Sequence, residues 1–270
     1  MKRKILWGCL AAFVLGAALL CTGLAQGAER ALLIDASGVH PVKTGMREVP
    51  VEPFDALEIE MTRSDFQTIE LSLGTEWKLE IAQSAGTAID VTQTDGTLRI
   101  RETAGKGMTV NLAAWSGTPL VRITVPKALK DVRIHAKGDV YISQIQASSL
   151  EIENKGAQVG LDHVKTDGLT GKLTDSWIYF DRCEIARSTI HSFENTRGEG
   201  IRADALGGGE HEWYVYGSGV SASLTGDPRT WQLNVDAKAR TGDAADGGSE
   251  ARNRLTVVCP DATADITFKK

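Results

Sequence analysis

The chain has 270 residues and a formal net charge of −5, with 30 Lys and Arg residues against 35 Asp and Glu residues. This length accommodates one large all-β domain or two small ones. An acidic surface repels polyanions, and no basic stripe offsets it, so we expect no nucleic-acid partner.

The first element is a leader over residues 1–25. A basic start at Lys2 precedes 21 uncharged residues, 5–25, which end in a small-x-small cleavage pattern. This pattern predicts a signal peptide, but the same run is long enough to span a bilayer as a membrane anchor. Lipidation at Cys21 is a third reading, which the bulky Leu20 before it disfavours. Cleavage would take the net charge from −5 to −8.

Two cysteines, Cys183 and Cys259, lie outside the leader. They could form a disulfide in an oxidising compartment. The alternative is that each is buried singly as a small hydrophobic side chain.

Residues 26–50 show no strong periodicity and predict a linker. From residue 51 onward apolar and polar residues alternate with period two, which predicts half-buried strands. Asp95-Gly96 marks a tight turn between two of these strands, and Pro126 ends another because proline cannot donate to a β-ladder. No amphipathic helical period follows the leader, so we expect almost no helix there.

The segment 129–166 contains two similar units, each with a strand, a Lys-Gly turn and a second strand. Aligning the second strands gives spacings of 19, 19, 23 and 19 residues, and the matching apolar residues are Val140, Val159, Ile178, Ile201 and Val220. A period near 20 with two short strands per unit is typical of a solenoid. Stacked units would place these five side chains in one internal ladder, since one unit cannot bury its apolar face alone.

A β-sandwich also has many short alternating strands. A sandwich has no reason to keep a 19-residue spacing or to place its turns at equivalent points. We therefore predict an all-β fold, a single-stranded parallel β-helix (a β-solenoid) over residues 51–268.

Five segments carry a resemblance to the bacterial DUF4097 family, whose members are described as "putative adhesin". They are "FDALEIEM", "TLRIRE", "VRITVPKAL", "KDVRIHAKGDVYI" and "DATADITF", within residues 54–268. The resemblance implies a right-handed parallel β-helix that is exported or anchored at the cell envelope. It implies no enzyme activity and supplies no catalytic residues.

The residues themselves indicate no catalytic or metal site. The five histidines show no metal-ligand spacing and predict surface positions. Asp162, Asp175 and Asp181 lie near strand ends and predict turn or surface residues, although a polysaccharide lyase or hydrolase would need paired carboxylates.

Large aromatic residues offer the only candidate binding surface. If Ile178 and Phe180 face inward, Trp177 and Tyr179 face outward, and Tyr141 does so two units earlier. Outward aromatic rings can stack on sugars, although Gln158 and Gly160 interrupt the platform in the unit between. Shielding of the coil edge is the structural alternative.

These observations predict a non-catalytic, extracytoplasmic interaction module of adhesin-like or sensing type, with ligand contacts at Tyr141, Trp177 and Tyr179. A carbohydrate-binding surface module and a β-helical polysaccharide enzyme are the alternatives. We expect no cofactor, and a partner that is an envelope protein or a cell-wall glycan. Membrane anchoring through residues 5–25 remains open.

Overall fold

A computed structural model describes residue 16 and residues 31–42, 45–63, 67–82, 88–103, 108–111, 120–193, 199–242 and 251–269. The described part is all-β, with one 20-stranded sheet and one three-stranded sheet. Beyond residue 30, its only helical element is a single 3₁₀ turn over Pro228–Thr230. This agrees with the period-two pattern and the missing helical period. Among these residues no helix has the length and apolar character needed to cross a bilayer.

Ten strands precede the repeated units. They are β1 (Ala31–Asp35), β2 (Gly38–Val42), β3 (Met46–Val49), β4 (Ala56–Met61), β5 (Gln67–Leu73), β6 (Lys78–Ala82), β7 (Ala88–Thr94), β8 (Thr97–Thr103), β9 (Met108–Asn111) and β10 (Val121–Val125). Strands β1, β2 and β9 form the small antiparallel sheet.

The segment 26–50, which the sequence predicts as a linker, contains β1, β2 and β3. Strand β3 pairs antiparallel with β6 and so belongs to the large sheet. Its side chains are exposed or half-buried, which explains why no apolar period marks it. The leader over residues 1–25 lies outside the described residues except for Gly16.

The repeated units contribute the next eleven strands. They are β11 (Leu129–Ala136), β12 (Gly138–Ser143), β13 (Gln146–Lys155), β14 (Gln158–Asp162), β15 (Lys165–Thr174), β16 (Trp177–Asp181), β17 (Glu184–Ile185), β18 (Arg187–Phe193), β19 (Glu199–Leu206), β20 (Glu210–Val215) and β21 (Gly219–Thr225). Two strands close the chain, β22 (Trp231–Gly242) and β23 (Asn253–Lys269).

Equivalent strands of successive units pair in parallel. Strands β12, β14, β16, β19 and β21 form one stack, and β11, β13, β15, β18 and β20 form a second. The predicted ladder is confirmed, because Val140, Val159, Ile178, Ile201 and Val220 are register partners in this order. None of the five is more than 2% exposed. The chain therefore returns to the same position one strand spacing further along with each unit.

The turn after the second strand has the same backbone form in four units. Gln144, His163, Arg182 and Ala205 all have positive φ angles, between 50° and 58°. The backbone N–H groups of the first three donate to the carbonyl oxygens of Asp162, Asp181 and Asp204 in the next unit, at 2.8–2.9 Å. This left-handed conformation is uncommon for residues other than glycine. Its recurrence keeps consecutive units in register.

The last strand breaks the sequential order. Strand β23 pairs in parallel with β20, β21 and β22, so it lies between the preceding unit and β22. Its first half aligns Val257 with Trp213, and its second half aligns Ala264 with Val220. In the described part of the chain, β22 therefore forms an edge of the sheet.

Candidate functional site

The three aromatic residues predicted as ligand contacts lie on the outward face of one strand stack. Tyr141 is on β12 and is 38% exposed, whereas Trp177 and Tyr179 are on β16 and are half-buried. Their neighbours Val140, Ile178 and Phe180 are buried, because successive side chains of a strand alternate between its two faces. The predicted outward orientation is thus what the structure contains.

Tyr141 and Tyr179 belong to one outward column of residues. Tyr141 is the register partner of Gly160, Gly160 of Tyr179, and Tyr179 of Arg202. We call these four residues the tyrosine column. Trp177 lies two residues before Tyr179 on the same face and aligns with Gln158, so it stands beside the column and not in it.

Gly160 does not leave a hole between the two tyrosines. A Cβ atom at this position would lie 2.9 Å from Cδ1 and 3.4 Å from Cε1 of Tyr141. The ring of Tyr141 therefore lies over the glycine and occupies the space where a side chain would project. The interruption that the sequence suggested is filled from the preceding unit.

The column is uncharged in its centre and cationic at one end. The guanidinium carbon of Arg202 lies 6.0 Å from the centroid of the Tyr179 ring, within the range of a cation–π contact. Burial raises the pKa of both Tyr141 and Tyr179, and nearby carboxylates add to the rise. Both phenols therefore stay protonated at neutral pH and can donate a hydrogen bond to a ligand.

A second aromatic surface lies on the other strand stack. It consists of His191 and Phe193 on β18, Tyr214 on β20, and Tyr216 just after β20, and we call it the aromatic quartet. His191 stacks on Tyr214 with 4.8 Å between ring centroids, and Phe193 stacks on Tyr216 with 5.5 Å. Phe193 and Tyr216 are 36% and 38% exposed.

Sequence reasoning missed this quartet, although a usable signal was present. His191 and Tyr214 are 23 residues apart, and so are Phe193 and Tyr216. This is the spacing of the one enlarged unit, from Ile178 to Ile201. A comparison at 19 residues alone does not align them.

The structure also brings a serine and a histidine together, in the core. Ser188 Oγ lies 2.9 Å from His211 Nδ1 and accepts a hydrogen bond from Trp213 Nε1 at 3.0 Å. His211 is 0% exposed and Ser188 3%. Burial lowers the pKa of His211 to about 4, so its ring is neutral at physiological pH. No substrate can reach this pair in the folded protein.

The predicted surface position is wrong for His211. On β20 the inward positions fall on His211, Trp213 and Val215, so the histidine faces the core. A buried polar ring is tolerated here because Ser188 meets one of its nitrogens. His163 is exposed, and His135 and His191 are half-buried, as expected for outward positions.

The aspartates occupy the turns, as the sequence predicts. Asp162, Asp181 and Asp204 are register partners at the ends of their strands. Basic side chains contact each of them: His163 Nδ1 lies 2.6 Å from Asp162, Arg182 lies 2.7 Å from Asp181, and Lys269 contacts Asp204. The pairing with Arg182 lowers the pKa of Asp181. Asp175 occupies a left-handed turn with φ 48°.

Within the described ranges no group of three His, Cys, Asp or Glu residues could hold a metal ion. The two cysteines outside the leader are buried as free thiols, which is the second of the two readings that the sequence left open.

Comparison with known proteins finds no matching family model and no matching curated protein. Solved structures with similarity over most of the chain include a "putative adhesin" from Bacteroides fragilis, 15% identical with a TM-score of 0.46. The match covers 84% of this chain and 97% of that one.

A "putative adhesin" from Parabacteroides distasonis is 9% identical over 83% of this chain and 97% of that one, with a TM-score of 0.38. A "putative adhesin" from Parabacteroides merdae is 11% identical over 84% and 97%, with a TM-score of 0.36. Similarities at this level assign neither a family nor an activity to the chain.

Proposed function

We propose that this chain is a non-catalytic, extracytoplasmic β-solenoid of the DUF4097 type, which binds a partner at the cell envelope in an adhesin-like or sensing role. It is exported or anchored to the membrane through residues 5–25. Its contacts are made by Tyr141, Trp177 and Tyr179. The partner is an envelope protein or a cell-wall glycan, without nucleic acid and without a cofactor.

The tyrosine column is the observation that carries this proposal. Aromatic rings have large apolar surfaces and, in tyrosine, a polar tip, which is why they are enriched in binding surfaces. Tyr141 lies outward at 38% exposure over Gly160, and Tyr179 contacts Arg202 in the same column. A hydroxyl, an apolar ring and a guanidinium thus lie within three adjacent units.

The stacked units suit such contacts mechanically. Each strand is hydrogen-bonded to neighbours in the preceding and following units, so outward side chains are held at fixed spacings. We infer that the described strands form a parallel solenoid with flat faces and little hinge motion. Such a face matches an extended partner better than a small molecule, which is bound in a concave pocket.

The non-catalytic part of the proposal rests on the chemistry of the titratable groups. The serine–histidine pair is enclosed in the core, and Asp162 and Asp181 are engaged by His163 and Arg182 at the surface. General acid and base work needs such groups within hydrogen-bond reach of a bound substrate.

The test replaces Tyr141, Trp177 and Tyr179 by Ser and measures attachment of the full chain to isolated cell-wall material and envelope protein. The matched control replaces Arg133, Glu151 and Thr170, an outward column of the other stack, by Ser. We expect the aromatic variant to attach at least tenfold more weakly, and the control to attach as the wild type does. Equal attachment by both variants, with both folded, would contradict the assignment.

A separate assay addresses catalysis. The full chain is incubated with a panel of defined polysaccharides, and chain length is followed. We expect no depolymerisation. Robust turnover of any of them would replace the binding proposal by the polysaccharide-enzyme alternative.

A further inference from the structure

The aromatic quartet departs from the chemistry of its own strand stack. Along the column that contains His191, the preceding outward residues are Glu60, His135, Glu153 and Lys172, all register partners in turn. Lys172 pairs with Glu153 at 2.9 Å, and in the adjacent column Arg133 pairs with Glu151 at 3.5 Å. Solvated faces of sheets are ordinarily polar in this way. At β18 and β20 this arrangement gives way to rings.

The four rings share one orientation. The planes of His191 and Tyr214 differ by 8°, those of Phe193 and Tyr216 by 3°, and those of His191 and Phe193 by 7°. Two stacked pairs thus lie side by side, with 6.0 Å between the centroids of His191 and Phe193. The result is a block two rings wide and two units tall.

The stacking leaves ring faces uncovered. Atoms in van der Waals contact are roughly 3.5–4.0 Å apart. The Phe193 and Tyr216 centroids are 5.5 Å apart although their planes are nearly parallel, so the two rings are offset and not directly face to face. Each ring then exposes part of one face, in agreement with exposures of 36% and 38%.

Hydrogen-bonding groups border the block. Thr189 and Glu212 are register partners and lie two residues before His191 and Tyr214 on the same outward side. Thr189 is half-buried and Glu212 exposed. From Thr189 to Phe193 the strand extends roughly 13 Å at about 3.3 Å per residue, enough for more than one pyranose ring.

We propose that the aromatic quartet is a glycan-binding site. The C–H face of a pyranose ring stacks on the uncovered faces of Phe193 and Tyr216, and neighbouring sugar hydroxyls bond to Thr189, Glu212 and the tyrosine hydroxyls. Parallel, uncharged ring faces bordered by donors and acceptors match a β-linked sugar chain, whose rings are flat and apolar on one side and polar at the rim.

A protein partner fits this surface less well. A specific, stable protein interface buries about 800 Å² on each partner. Four partly covered rings offer much less apolar area, and the next outward residues in the same column are the charged Lys172 and Glu153. The site is distinct from the tyrosine column on the other stack, so either assignment can fail without the other.

The test titrates the full chain with cellohexaose and with chitohexaose, by calorimetry and by saturation-transfer NMR. One variant carries Phe193→Ser and Tyr216→Ser. A second carries Phe193→Leu and Tyr216→Leu, which keeps apolar contact between the units but removes the ring faces. The matched control carries Tyr141→Ser and Tyr179→Ser, on the tyrosine column.

We expect the wild type and the control to bind at least one of the two oligosaccharides equally, and both quartet variants to bind it at least tenfold more weakly. The Leu variant decides the matter if circular dichroism shows that the Ser variant is unfolded. No binding of either probe to the wild type overturns the proposal, and so does unchanged binding by the folded quartet variants. Loss of binding in the control alone assigns the glycan to the tyrosine column and also overturns it.

Discussion

Val159 and Ile178 are 19 residues apart in the chain, are register partners on β14 and β16, and are both 0% exposed. Gln158, one residue before Val159, points outward and aligns with Trp177. The pair shows how a unit is built, since adjacent residues alternate between the core ladder and the outward face.

Replacing the inward residue of this pair should therefore cost far more than replacing the outward one. Val159→Asp places a carboxylate without a partner between Val140 and Ile178, and we expect a loss of about 3 kcal/mol or more in the free energy of unfolding. Gln158→Asp should stay within about 0.5 kcal/mol of the wild type. Urea denaturation of the full chain measures both, and equal losses would mean that the register is wrong.

The buried His211 predicts a specific loss of stability in acid. Its pKa is lowered from 6.5 to about 4, so between these values the unfolded chain binds a proton that the folded chain does not. The stabilising contribution is therefore full above about pH 6.5 and is lost as the pH falls to about 4, with no further loss below. The total is about 3 kcal/mol, at about 1.4 kcal/mol per pH unit.

Unfolding free energies measured between pH 7 and pH 4 test this. His211→Leu, which fits the column between Ser188 and Leu255, should remove this part of the pH dependence. His163→Gln, at an exposed turn, serves as the control and should keep the wild-type curve. A His211→Leu curve as steep as that of the wild type would contradict the assignment.

The core of the fold was open to sequence reasoning, and the candidate surfaces were open only in part. Strict alternation and a 19-residue spacing identify Val140, Val159 and Ile178 as one ladder, because each unit must bury the same face. The position of β23 between β20 and β22 leaves no such trace, since Trp213 and Val257 are 44 residues apart and a different strand lies between them in the chain.

The surfaces depend on contacts that a residue pattern does not express. Gly160 looks like a gap in an aromatic platform, yet the Tyr141 ring fills it from the neighbouring unit. His211 looks like any other histidine, and only its parity with Trp213 and Val215 on β20 places it in the core. The aromatic quartet needs a 23-residue comparison, which only the enlarged unit justifies.

The free thiol of Cys183 should be inert in the folded protein. It is 1% exposed, and burial raises its pKa to about 11, so almost none is present as the reactive thiolate at pH 8. We expect no labelling by iodoacetamide in buffer and full labelling in urea, read by peptide mapping. Thr170→Cys, at an exposed position on β15, is the matched control and should label in buffer. A Cys183–Cys259 disulfide would instead block labelling in urea until reductant is added.

Gly160→Ala tests whether the tyrosine column binds through the position of the Tyr141 ring. The added Cβ would lie 2.9 Å from Tyr141 Cδ1, and the ring, at the far end of a partly exposed side chain, has to move. Gly160 has no positive φ angle and lies inside a strand, where alanine is favoured over glycine by roughly 0.5–1 kcal/mol. We therefore expect a melting temperature close to that of the wild type, but attachment to envelope material weakened about as much as by Tyr141→Ser. The control is Gly168→Ala, where a Cβ meets nothing within 4 Å, and it should change neither property. If Gly160→Ala attaches normally while Tyr141→Ser does not, the tyrosine acts through its hydroxyl, which can still reach the partner after the ring has moved.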